Sequence, residues 1–374
     1  MKKISVFIGV HLWIIFLFVS VSAQDFKTIQ DGIEYAEMTR EIDKQPVKMN
    51  LLRLDLTKVR LDVVHAMDAA IGTETVSSMA KRHGAFAAIN AGFFRLDKSI
   101  FAGDAAGVLM INNEVVSESY ESRIALFITN TINQTQVKIG HLDLLLNIRR
   151  KKESLGLSGI NRQRKDNELI VFTPEFGRTT LTEPNGMELI IRKNKVVEIN
   201  INKGSSAIPS DGFVLSANGS EIPDLLKFAN LNYKINLEIT MTRHDAGEID
   251  ASGEDIVGGA PQLIKNGKIE ITWEQEKTSK AFVETKHPRT AVAKLKDGKF
   301  LMVTVDGRSE ESGGIGLEDL AKILLELGAT DAMNLDGGGS TTMFLGGKIV
   351  NKPSDKEGER KVSDAILVFP RKKN

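Results

Sequence analysis

Between residues 169 and 242 the apolar runs are four to nine residues long, and each stops at a Gly, Pro, Asn or charged turn. Runs that short cannot build helices of ordinary length, and they carry the β-branched residues that suit a pleated surface. Residues 169–173, 188–191, 195–199, 212–216 and 234–242 are predicted strands joined by turns. Upstream, Leu52, Leu54 and Leu56, then Leu61 and Val63, alternate with polar neighbours, the period of a strand with one wet face. Residues 86–94 read as an apolar strand running into a glycine-broken turn. Against this background one long helix stands out at 317–327. Leu317, Leu320, Leu324 and Leu327 form its stripe, Glu318 and Asp319 occupy the favourable first turn, and Gly328 is placed to cap it. A short helix is predicted at 76–82. The fold class is therefore α+β: mixed, β-rich sheets with a few packed helices.

Composition narrows the chemistry. The 374 residues contain no cysteine, which excludes a disulfide scaffold, a cysteine zinc site and a thiol nucleophile. Lys+Arg and Asp+Glu both number 49, so no basic excess supports nucleic-acid binding by phosphate neutralisation. Lys2 and Lys3, an apolar run to Val21, and the small residues Val21-Ser22-Ala23 read as a signal peptide over 1–23. The expected mature chain is exported, periplasmic or secreted, with no membrane span. Residues 24–84 form a β-rich N-terminal region packed on a main domain over 85–374. The basic stretch 148–168 reads as a solvated linker or loop. Two hairpin signatures, residues 107–115 and 261–269, echo one another. Each is followed by Arg-x-Ala, at Arg123 and Arg289.

Polar residues gather where predicted strands end. The strand 300–305 terminates in Asp306-Gly307-Arg308, and the strand 332–335 in Asp336-Gly337-Gly338-Gly339-Ser340-Thr341. Asn334 lies two residues before Asp336 and shares its side of the strand. Two strands joined through the 317–327 helix would bring both aspartates to one side of a sheet. Three consecutive glycines are entropically costly, so the turn must need unusual dihedrals or close backbone approach. A nest of N–H groups for phosphate oxygens is one such need, an ordinary tight turn the other. His287-Pro288-Arg289 precedes a further strand, with Pro288 holding His287 extended. The oxygen donors Asp306, Asp336 and Asn334 leave calcium as a candidate ion.

Together these motifs resemble the phosphodiester glycosidase family. The resemblance is carried by Ala88-Ile-Asn90-Ala-Gly92-Phe-Phe94, Gly258-Gly259-Ala-Pro261-x-Leu263 and His287-Pro-Arg289-Thr-Ala291. It continues in Asp306-Gly-Arg308, Asn334-Leu-Asp336-Gly-Gly-Gly-Ser340, and Asn351-x-Pro353-Ser-Asp355 with Gly358-Glu359-Arg360. It implies that family's fold and the hydrolysis of a sugar-1-phosphodiester, such as an N-acetylglucosamine-1-phosphodiester or a phosphoglycan, to free sugar and phosphomonoester. Phosphate leaves readily, so cationic and N–H stabilisation of the departing charge matters more than a general acid. On that basis Asp336 is the first expected catalytic carboxylate, Asp306 the second and Glu359 a third, with His287 donating to phosphate or orienting a carboxylate. Asn90, Arg289, Arg308, Asn334, Gly337, Gly338, Gly339, Ser340, Thr341 and Arg360 are the expected substrate and phosphate contacts. The alternatives are a phosphodiesterase cleaving P–O and a non-catalytic polysaccharide- or envelope-binding protein.

Overall fold

A computed structural model describes residues 25–372 apart from 121 and 252. The expected signal peptide lies outside the described residues. An eight-stranded sheet runs in the order Lys27–Gln30, Ile33–Ile42, Gln45–Leu54, Phe300–Val305, Arg289–Leu295, Ala329–Asn334, Gln262–Lys265 and Lys268–Ile269. A five-stranded sheet runs Lys348–Ile349, Met343–Leu345, Ala87–Asn90, Asp364–Pro370 and Val59–His65. Alternation decides how they stack. Leu52, Val292, Met302 and Met333 of the first sheet meet Leu61, Val63, Ile89 and Ile366 of the second in one buried core. The intervening residues Leu51, Ala291, Val303 and Ala332 face outward, under Leu317, Leu320, Ala321 and Leu324 of the Leu317–Glu326 helix. On the far side Ala88, Phe344, Ala365 and Leu367 are covered by Val76 and Met79 of the Val76–His83 helix. The result is a helix–sheet–sheet–helix sandwich, and the α+β expectation holds.

Strands Phe300–Val305 and Ala329–Asn334 flank Arg289–Leu295, and each is antiparallel to it. They are therefore parallel to one another, with the Leu317–Glu326 helix as their crossover. Their C-terminal ends finish at one edge of the sheet. Arg289 opens the middle strand at that same edge, opposite Val305. The N-terminal strands are woven into these sheets: Gln45–Leu54 pairs with Phe300–Val305, and Val59–His65 with Asp364–Pro370.

The rest of the chain, largely residues 109–258, forms a further eight-stranded and a further five-stranded sheet around a second core. Here the predicted linker at 148–168 is corrected. Thr135–Arg150 is a 16-residue strand that turns at Lys151 (φ 52°) into Glu153–Gly156. Leu142, Leu146 and Ile148 point inward, while Arg149 pairs with Glu238 at 2.5 Å and Arg150 with Glu153 at 2.6 Å. The density of charge on the wet face had hidden the strand period. Both echoing hairpins form, with left-handed turn pairs at Asn112-Asn113 and Asn266-Gly267, but in different sheets.

Candidate active site at the sheet edge

The edge shared by the three strand ends collects the polar residues. Asp336 follows Ala329–Asn334; its N–H donates to the Ala91 carbonyl, and its own carbonyl accepts from Asn90 Nδ2 at 2.7 Å. These bonds tie the two sheets together at the site. Asn90 is held at both ends of its amide, because its Oδ1 accepts from Thr290 Oγ1 at 2.9 Å and the Thr342 N–H at 3.0 Å. Its observed work is to clamp the loop that carries Asp336. The Asp336 carboxyl accepts the Gly337 N–H at 2.9 Å and sits in a desolvated recess. Burial pushes it up to about 6, against the opposing pull of that N–H and of Arg360.

Behind it lies Asp364, which the sequence reading missed. It is the first residue of the last strand and is 1% exposed. Its carboxylate accepts the Gly92 N–H at 2.5 Å and the Ser363 hydroxyl at 2.6 Å. Burial holds its carboxyl above the usual range, and its charge helps raise Asp336. A Cβ on Gly92 would sit 3.2 Å from both Asp364 oxygens, so that position favours glycine. The available signal was a carboxylate at the head of an otherwise apolar strand. Asp306 is also buried and raised by burial; Oδ1 accepts the Lys352 N–H at 3.0 Å.

Cations cluster at the same edge. Arg289 is 1% exposed; its Nη2 donates to the carbonyls of Phe282 (2.6 Å) and Thr285 (2.9 Å), and its Nε to Ile315 (3.2 Å). Among the described residues it has no acidic partner within salt-bridge distance, and burial with the nearby Arg308 pulls it down to about 10. Arg308 takes a left-handed φ of 61°, is exposed, and makes one long bond, 3.4 Å, to Ser354 Oγ. Burial, then Arg289 and Arg308, lowers His287 and keeps its imidazole neutral at pH 7. Cations gathered without a counter-carboxylate favour an anion. Arg308→Ala should therefore raise the KM for an anionic substrate about 10- to 100-fold, the worth of a charged hydrogen bond. Thermal unfolding should barely move, and a steady-state titration beside a melting curve checks both.

The glycine run is explained by crowding more than by an open nest. Gly338 has φ 60°; a Cβ on Gly337 would lie 2.8 Å from the Pro288 carbonyl oxygen. A Cβ on Gly339 would collide with Arg360 and Asp355. Most of the N–H groups are spent within the protein: Gly337 on Asp336, Gly338 on the Pro288 carbonyl, Ser340 on Gly337, and Thr341 on Gly338. The Gly339 N–H is the one these bonds leave unused. Arg360 forms a bidentate fork with Asp355, at 2.7 and 3.0 Å, which stacks on Gly339. Glu359 faces elsewhere: its oxygens accept from Ser77 N (2.7 Å) and Ser77 Oγ (2.5 Å), capping the Val76–His83 helix. Thr341 is buried, with its hydroxyl accepting from Thr290 at 3.4 Å.

The described buried side-chain atoms without a hydrogen-bond partner are His287 Nδ1, Thr304 Oγ1, Asn334 Oδ1, Ser340 Oγ and Thr342 Oγ1. All five sit on the three strands near that edge or in the segments that enter or leave them there. Ser340 Oγ lies close to the Asp336 carboxyl without forming a well-aligned bond. Each unmet group costs about 1–3 kcal/mol when buried, and such groups concentrate where a ligand is handled. For calcium the donor set is thin: Asn334 Oδ1 is free, but Asp306 Oδ1 already accepts the Lys352 N–H, and no three His, Cys, Asp or Glu side chains gather in metal-holding geometry among the described residues.

On the edge of the β-rich sandwich the buried carboxyls of Asp336 and Asp364 thus lie beside two arginines, Arg289 and Arg308, that have no acidic partner within salt-bridge distance among the described residues. Residues 185–369 match the family model of phosphodiester glycosidases. An SPbeta prophage-derived uncharacterized protein of Bacillus subtilis is 40% identical over 106 residues, which are 28% of this chain and 16% of that protein. The N-acetylglucosamine-1-phosphodiester alpha-N-acetylglucosaminidase of Bos taurus is 38% identical over 109 residues, 27% of this chain and 20% of the enzyme. The chain thus spans about a fifth or less of these relatives' length. A solved hypothetical protein from Synechocystis superposes with a TM-score of 0.78 at 25% identity, covering 94% of this chain and 64% of that one.

Proposed function

We propose that the chain is an exported hydrolase that cleaves the glycosidic bond of sugar-1-phosphodiesters, releasing free sugar and a phosphomonoester. The observation that carries this reading is the set of unpaired cations next to the recessed Asp336 and Asp364, with all five unpartnered polar atoms at the same edge. Arg308, exposed and loosely held, is the direct phosphate contact in this reading. Buried Arg289 acts through its field, stabilising charge as the phosphate departs. Ionised Asp336 takes a proton from water or supports positive charge at the anomeric carbon. Asp364 positions the Asp336 carboxyl and, by like-charge repulsion, keeps its basicity matched to near-neutral pH. Glu359, Asn90 and Thr341 hold the loops in place, and N-acetylglucosamine-1-phosphodiesters are the first substrate class to try. The 1–23 leader supports export; among the described residues no helix is long and apolar enough to cross a membrane.

The test is sugar release from an N-acetylglucosamine-1-phosphodiester in ¹⁸O-labelled water. Label in the sugar supports this reading, and label in the phosphate transfers the chemistry to P–O cleavage. The rate should rise with pH and level off near pH 6, because Asp336 is pushed up to about 6 and acts ionised. Stability should run the other way. The folded state holds that proton more tightly than the unfolded chain, so between about pH 4 and 6 the Asp336 contribution falls as pH rises. A flat rate from pH 4 to 8 would remove Asp336 as the base.

A further inference from the structure

A second cleft, of about 750 Å³, opens beside the sheet edge and is lined by Asp104, Glu118, Tyr120, Arg123, Arg162 and Lys165, among others. Its charges fall into two groups. Arg162 is bound between Glu118 at 2.5 Å and Glu168 at 2.7 Å, so those groups are settled within the protein. Asp104 differs, because its carboxyl enters no described hydrogen bond or ion pair, and burial, then the Glu118 charge, pushes it up to about 7. Tyr120 is 51% exposed, with the Arg123 guanidinium 4.5 Å from its ring centroid. Ser117, Ser119 and Gln163 also line the wall, but Ser117 Oγ donates to the Ala105 carbonyl, Ser119 Oγ accepts the Leu144 N–H and Gln163 Oε1 accepts from Arg95.

The cleft adjoins the candidate active site through one loop. The Ala106 N–H donates to the Phe93 carbonyl at 2.8 Å, and the Phe93 ring meets Phe282 edge-on at 6.1 Å. Phe282 in turn lies 4.9 Å from the Arg289 guanidinium. A half-exposed aromatic ring and an uncommitted carboxyl in a space this size match a sugar ring. The apolar face of the ring covers the aromatic, and directional bonds take its hydroxyls.

We propose that this cleft is a saccharide-binding site, in which a sugar ring stacks on Tyr120 and Asp104 bonds its hydroxyl or amide groups, so that the chain acts on extended glycans. The class of ligand rests on the glycosidase reading above; the site itself does not depend on bond cleavage. The test is therefore direct binding of unphosphorylated probes, the linear trimers of N-acetylglucosamine, glucose and galactose, by calorimetric titration of the intact chain. At least one trimer is expected to bind saturably. Tyr120→Ala and Asp104→Asn should each weaken it about tenfold at unchanged melting temperature, while Tyr120→Trp and Asp336→Asn retain it. Absence of binding by all three trimers overturns the proposal. So does binding that survives both Tyr120→Ala and Asp104→Asn, or that Asp336→Asn alone abolishes. Failure here with sugar release intact would leave the proposed reaction standing.

Discussion

Asp336→Asn is expected to lower sugar release about 10²- to 10⁴-fold, the range typical of losing a positioned general base. The substitution is nearly isosteric, and the Asn carbonyl oxygen can still accept the Gly337 N–H that Asp336 holds at 2.9 Å. The fold should therefore persist. Removing a carboxyl from beside buried Asp364 relieves like-charge repulsion, so the melting temperature near pH 7 should stay level or rise. Lost activity with a raised or unchanged melting temperature would separate a chemical role from a structural one. Retention of more than a tenth of the parent rate would take Asp336 out of the mechanism. Asp364→Asn supplies the contrast. It is a positioning residue here, so it should shift the pH at which the rate levels off downward more than it lowers the plateau.

Gly339→Ala is expected to damage the protein more than a glycine-to-alanine change in an ordinary turn. The added Cβ would lie 2.1 Å from Arg360 Nη2 and 2.3 Å from Asp355 Oδ1. Those atoms form a bidentate fork, so they cannot step aside without breaking it. Overpacking of this kind costs about 1–3 kcal/mol, which is several degrees of melting temperature. The same change at Gly84, where a Cβ meets nothing within 4 Å, should cost only the strain of a left-handed residue. A mutant cycle sharpens the point. In an Asp355→Ala, Arg360→Ala background the colliding atoms are gone, and Gly339→Ala should lose most of its effect. A cost that stays the same in that background would show that the Asp355–Arg360 fork is not what excludes a side chain at Gly339.

The site was only partly legible in the sequence, for reasons that differ by residue. Asp306 and Asp336 stood out because each ends an apolar strand, and the intervening helix predicts parallel strands whose C-terminal ends share an edge. Their union at one edge follows from local pattern and chain connectivity. Glu359 carried the right chemistry but spends both oxygens capping the Val76–His83 helix, a partner 282 residues away. Asn90 likewise turned out to be a clamp between sheets. Asp364 passed unread because its strand was visible only through its apolar residues.

Short alternating runs, one strong helix and turn glycines determined by themselves that the chain would be a β-rich α+β protein. Hydrophobic periodicity is local, and it survives whatever packs against it. Tertiary structure alone decided which polar groups are spent and which remain available. Some of the deciding hydrogen-bond partners lie 200 to 282 residues apart, as between Thr290 and Asn90 in the site or Ser77 and Glu359 outside it. It also decided which carboxyls are held above the usual carboxylate range. Desolvation depends on what the opposite sheet brings up against a side chain, and no spacing within one strand records that.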